Sequence, residues 1–357
     1  MKNAFAHWLF AATVASICGV PTAMAQHFVQ TNLTSDTGIG GTKKDANLVN
    51  PWGMSRSSAS PWWLSDNGSN LTTLYGADGS TVPLVVSVPG GPSGTVFNGT
   101  SDFQLNGKPA VFLFSTEGGT ILGWNGGTTA TVLASKNAAV YKGLALANVN
   151  GVNYLYATDF HNAKVDVLDT NFHYVASMSS SHDADDRPFS LDDVCHKGFA
   201  PFNIQNIGGT LYVTYAKQDG PKHDDVPGAG LGFVAAFTPS GHLLKILEHG
   251  NWLNAPWALA EAPGDFGPFS HTLLVGNFGS GQIAAYDTVS GRFVGLFEDA
   301  TGNPIAIDGL WGLSFGNNGK AGSSTALYFT AGPNGESNGL FGTLTPTVAD
   351  LTQGNSN

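Results

Sequence analysis

The feature that most constrains this 357-residue chain is a short unit that recurs six times. Its first copy spans residues 50–79, NPWGMSRSSASPWWLSDNGSNLTTLYGADG. That copy has a Pro-Trp-Gly opening on an apolar strand, then a second strand at 62–65. The tight turn DNGSN follows, and then a third strand at 71–75. One such sheet cannot bury both of its faces. Later copies begin at Thr95-Val96-Phe97, at Lys142-Gly143-Leu144-Ala145, at FAPFNIQNIGG, at NAPWALAEAP and at DGLWGLSFG. With Trp52, Phe97, Leu144, Phe202, Trp257 and Trp311 as equivalents, the spacings by subtraction are 45, 47, 58, 55 and 54 residues. A unit of about 40–50 residues with four short strands marks a propeller blade, and blades are buried only by their neighbours, so the ring must close. The repeat predicts an all-β, six-bladed β-propeller of four-stranded antiparallel blades. The candidate strand at 27–33 is expected to close the ring as the outer strand of the last blade, which removes an open sheet edge.

The pattern Pro-Trp-Gly-Met, an apolar strand ending Ser-Asp, a polar turn, a strand and a Gly turn resembles an NHL-type repeat. The stretches NLVNPWGMS, APFNIQNIGGTLYVTYAKQ with KHDDV, and APWALA extend the likeness. Over nearly all of residues 28–345 the chain is similar to an uncharacterised family of exported bacterial proteins with that repeat and a six-bladed, TolB-like propeller. The resemblance implies a fold. It carries no assigned activity, so it implies no catalytic residue.

Composition agrees with many short strands joined by tight turns: charged residues are 11 % and glycine numbers 47. Residues 1–25 read as a secretory signal peptide. Lys2 supplies the positive start, 9–20 the apolar core and Ala23-Met24-Ala25 the cleavage site. The expected organisation is a signal peptide at 1–25 cleaved after Ala25, a propeller at 26–349 and a polar tail at 350–357. The product is expected to be a soluble monomer, periplasmic or secreted. After residue 25 no apolar run reaches the ~18 residues that span a bilayer, and TPTVADLTQGNSN carries no anchor pattern. The net charge of −11 argues against nucleic acid and anionic membrane surfaces. It leaves cations and neutral ligands. Cys195 is the one cysteine beyond residue 25, which excludes a disulfide scaffold and leaves a buried, reactive or ligating thiol.

Trp52, Trp257 and Trp311 recur at equivalent places, which favours packing between blades over stacking on a flat ligand. Asp66, Asp159 and Asn277 end second strands and are expected to bond turn amides. Function is sought where the repeat breaks, in loops 179–197 and 217–230. Both are expected to project from the top face of blade four. They hold Asp183, Asp185, Asp186, Asp192, Asp193, Asp219, Asp224 and Asp225, with His182, His196 and His223. His223, Asp224, Asp225, Asp183 and Asp185 are candidate ligands for Ca²⁺ or another divalent cation, although no Ca²⁺-loop consensus is present. A His223–Asp224 acid–base pair and two merely solvated loops are the competing readings. Asp159, His161, Asn277 and Lys217 are candidate ligand-binding residues. Glu117, Asn162 and Glu336 are expected around the same mouth.

No G-x-S-x-G, H-E-x-x-H, C-x-x-C, Walker or G-x-G-x-x-G motif occurs. The function expected is top-face binding of a small molecule, glycan or protein. The alternatives are a metal-dependent hydrolase of the lactonase kind, with Ca²⁺ in the channel, and a structural envelope or matrix protein. Apolar side chains plugging the channel would tell against the lactonase.

Overall fold

The computed structural model describes residues 26–175, 188–195, 197–348 and 350. The expected signal peptide lies outside these residues, as do His182, Asp183, Asp185, Asp186 and His196. Six antiparallel sheets follow one another, each numbered outward from an inner strand. The inner strands are Pro51–Ser55, Pro92–Phe97, Tyr141–Val149, Phe199–Ile207, Pro256–Glu261 and Leu310–Phe315. Blade three departs slightly from four strands. Its outer place holds an isolated bridge between Leu168 and Tyr174.

The ring closes as the sequence predicts. Gln26–Ser35 pairs antiparallel with Leu340–Pro346, from Phe28 opposite Pro346 to Ser35 opposite Leu340. Its first residues, Gln26 and His27, also run parallel to Phe297 and Glu298 of blade five. No helix of the described residues is long and apolar enough to cross a membrane.

The second strands are buried on both faces because each faces two neighbouring blades. In Trp62–Asp66 every residue is buried. Trp63 stacks at 4.2 Å on Phe112 of blade two, while Trp62 packs at 5.0 Å against Tyr328 of blade six. Successive residues of a strand point to opposite faces, so adjacent tryptophans serve opposite interfaces.

At the axis the inner strands approach to backbone contact. A Cβ on Gly53 would lie 2.4 Å from the Ser93 carbonyl, and one on Gly94 2.4 Å from the Leu144 amide. Gly143 meets Asn203, and Gly312 meets the Trp52 carbonyl, in the same way. Buried hydroxyls then tie one blade to the next. Thr158 Oγ1 accepts from the Gly143 amide at 2.8 Å and donates to Phe202 O at 3.2 Å. Thr330 does the same between Gly312 and Trp52, at 2.8 and 2.6 Å.

These contacts correct the sequence alignment of the blades. The equivalents of Trp52, Phe202, Trp257 and Trp311 are Ser93 and Lys142, each followed by its close-contact glycine, rather than Phe97 and Leu144. The first insertion also departs from expectation. Of 179–197 the described residues are 188–195 and 197, and 188–195 form a wedge between blades three and four rather than a loop projecting from the top face. Phe189, Leu191 and Val194 are buried there with Tyr156 and Phe237. The Phe189 amide donates to Gly241 O at the far end of blade four. Cys195 packs half-buried against the same cluster.

Gly94→Ala should lower stability to urea unfolding by about 1–3 kcal/mol, the usual cost of overpacking. An unchanged midpoint would mean the inner ring is looser than these contacts state.

Candidate functional site

Each inner strand starts at the top face, and so does each turn between a second and third strand. This brings side chains of five blades to one point on the axis. Lys142 sits at the ring position that holds Trp or Phe in four other blades. Only 1 % of its side chain is exposed. Its ammonium lies 4.8 Å above the Trp52 ring and 6.0 Å from Phe160. It pairs with Glu117 Oε1, and with Asp224 Oδ1 at 3.2 Å. A buried ammonium requires such partners.

Beneath it the axis is filled. Trp52 and Trp311 stack at 3.7 Å, Trp257 meets both edge-on, and Phe160 and Phe202 complete the cluster. The three tryptophans are thus packing residues, as their repetition predicts. The plug is the apolar filling that tells against a cation held within the channel.

Three loops present the acids. The Glu117 turn between Phe112–Thr116 and Thr120–Trp124 is pinned by Glu117 and Gly118 amides donating to Gly91 and Gly90 carbonyls. Glu117 Oε2 accepts from Asn67 Nδ2 at 2.8 Å. Glu336 Oε2 accepts from Asn50 Nδ2 at 2.7 Å, and Asn50 Oδ1 accepts from Trp311 Nε1 at 2.9 Å. The 217–230 loop folds back as a hairpin, with Gln218 bridged to Asp225 and the Val226 amide on Lys217 O. Gln218 Nε2 donates to Phe160 O at 2.6 Å, which braces the hairpin on blade three. His223 and Asp224 occupy its tip, with His223 Nδ1 2.9 Å from Asp224 Oδ1.

Glu117, Asp224, Asp225 and Glu336 therefore surround one ammonium. Burial raises the Asp225 pKa to about 7 against the pull of Lys142. Its Oδ2 is buried and, among the described residues, has no hydrogen-bond partner. Glu336 is raised as well, chiefly by burial. Asp224 is also pushed up by burial, but Lys142 and His223 together outweigh this and leave it below its ordinary value. One ligand atom each from Glu117, His223 and Asp224 lie within 4.8 Å of one another. Such a set of nitrogen and carboxylate donors fits a divalent ion.

The remaining candidates sit elsewhere. Asp159 is buried and accepts from the Val140 and Asn162 amides and from Asn162 Nδ2. Asn277 is likewise buried, bonded to the Asn254 amide and Gln282 O. Both serve turns. Asp66 bonds the Thr73 hydroxyl at 2.7 Å rather than a turn amide from its side chain, and burial raises its pKa well above the usual range. His161 is half-buried, and its carbonyl accepts from Gln218. Lys217 caps the Lys197 carbonyl and lies over the Phe199 ring at 5.3 Å, away from Lys142. The sequence reading named Glu117 and Glu336 as mouth residues. It missed Lys142, Asn50 and Asn67, although a Lys in an otherwise aromatic register was the available signal.

No protein-family model matches the chain. One uncharacterised protein of Acanthamoeba polyphaga mimivirus is 31 % identical over 288 residues, 76 % of this chain and 69 % of that protein. A second is 29 % identical over 333 residues, 87 % of this chain and 84 % of its own. These relatives are viral rather than bacterial. Among solved structures, a streptogramin B lyase superimposes with a TM-score of 0.52 at 13 % identity, over 91 % of this chain and 99 % of that one. This likeness concerns the propeller fold alone.

Replacing Asp225 by Asn should change stability with pH in one direction. A carboxyl whose pKa is raised on folding favours the folded state fully below its unfolded value and loses that contribution as pH rises through about 7. Asp225→Asn should match the wild type near pH 4 and be more stable at pH 8, by about 1–4 kcal/mol. Parallel melting curves at all pH values would contradict the assigned burial.

Proposed function

The chain belongs to the family of the first of these mimivirus proteins, and within it we propose a binding propeller whose top face holds a divalent metal ion and, through it, a ligand. The observation that carries this reading is the donor set Glu117, His223 and Asp224, beside an Asp225 carboxylate with a buried, unpartnered oxygen. One nitrogen among carboxylate oxygens suits Mn²⁺ or Zn²⁺ better than Ca²⁺, which prefers six to eight oxygens. Three protein donors leave coordination positions for oxygens of a small molecule, glycan or protein. Lys142 grips two of these carboxylates from beneath and keeps them together before any ion arrives. Ionisation of Asp225 adds further negative charge, so affinity rises with pH. Hydrolysis of the lactonase kind has less support, because aromatic rings occupy the axis where a channel cation would sit.

Titration calorimetry with Mn²⁺ or Zn²⁺ tests the site. One ion should bind, about tenfold more weakly at pH 6 than at pH 8, and Glu117→Gln or Asp224→Asn should each cost at least about tenfold in affinity. Wild-type affinity in both variants would overturn the reading.

The proposal extends to compartment. The leader-like residues 1–25 favour action outside the cytoplasm. N-terminal sequencing of the protein from an exporting host should begin at Gln26. A retained Met1 would contradict export by cleavage.

A further inference from the structure

The mouth at the other end of the ring differs from the acidic top in its lining. Below the aromatic plug the axis holds a narrow cavity of about 30 Å³, walled in part by Met54, Leu144, Gln205, Trp257 and Ser314. It shares Met54, Leu144, Gln205 and Ser314 with a wider mouth of about 470 Å³ at the far ends of the inner strands. Together they form a blind well, open below and stopped above. The mouth is within the size range of small-molecule sites. Met54, Phe97 and Leu146 give it apolar walls, and Gln205 and Ser314 give it neutral polar groups.

Arg56 is the one ionisable residue of this lining, which contains no carboxylate. Its Nε donates to Phe315 O at 2.6 Å and its Nη2 to Gly316 O at 2.9 Å. The Trp62 ring lies 5.6 Å from the guanidinium carbon. The plane is thereby fixed, while among the described residues Nη1 makes no bond. Among the described residues no carboxylate lies within ion-pair distance of it. Burial draws its pKa below the ordinary arginine value. In a chain with net charge −11, this half-buried guanidinium is held by backbone carbonyls rather than by an acid. A pre-oriented guanidinium with free N–H groups matches a carboxylate.

We propose that this well binds a small organic monocarboxylate, with its carboxylate on Arg56 and its apolar body against Met54, Phe97 and Leu146. Inorganic phosphate would satisfy the charge but leave the apolar walls unused. The site lies at the opposite mouth from the proposed metal ion, and neither reading depends on the other.

The test is ligand-observed NMR and calorimetry on the full chain with hexanoate and phenylacetate, their neutral amides, and inorganic phosphate. Both acids should bind below about 10 mM, and the amides and phosphate at least about tenfold more weakly. Arg56→Gln should lose at least about tenfold for the acids. Gln205→Trp, which fills the well from blade four, should lose binding as well. If Arg56→Gln fails to fold, Gln205→Trp decides alone. Amides or phosphate binding as well as the acids would overturn the proposal. So would wild-type affinity in either folded variant, or no binding of either acid at about 10 mM.

Discussion

The structure depends on the contact of neighbouring inner strands at the axis. Glycine at 53, 94, 143 and 312 lets one backbone lie against the next, and hydroxyls such as Thr158 and Thr330 occupy the gap between blades. This contact sets the diameter of the ring. It also decides that side chains of five blades, far apart in sequence, meet near one point on the axis. Lys142 and Glu117 are 25 residues apart, Lys142 and Asp224 are 82, and Asn50 and Glu336 are 286. Fixing such contacts costs chain entropy. The closed ring meets that cost once for all of them, because Gln26–Ser35 locks the first residues onto the last blade.

Within this ring Lys142 is the exception that creates chemistry. Four blades place a large aromatic residue at its register, and together those rings exclude water from the axis. An ammonium there must be compensated, and Glu117 and Asp224 do so. Asp225 and Glu336 exceed what one lysine needs. The excess negative charge of these two buried acids, beside the donors Glu117, His223 and Asp224, is the physical basis of the proposed cation site. The far mouth shows the converse imbalance, a guanidinium with no acid. One channel stopped in its middle thus separates an acidic cluster from a mouth whose one charged lining residue is Arg56.

Much of the fold was legible in the sequence because a blade is a local pattern. The strands around DNGSN and the closing strand follow from apolar runs between turn residues. The alignment of blades two and three was not legible in the same way. Phe97 and Leu144 look like the aromatic or apolar residue of other copies, whereas Ser93 and Lys142 do not. Only the contact glycines Gly94 and Gly143 reveal the true register. The same limit applies to the site. Loop geometry put Glu117 and Glu336 at the mouth, but their convergence on one lysine depends on three-dimensional closure. Residues 188–195 were read by the acids around them, yet Phe189, Leu191 and Val194 carry the packing.

Whether the carboxylates around Lys142 hold a divalent ion on the top face can be read from anomalous scattering of crystals soaked in Mn²⁺ at pH 8. A single strong peak bounded by Glu117, His223 and Asp224 is expected. A peak on the axis among the tryptophans, or none in this cluster despite full soaking, would contradict it.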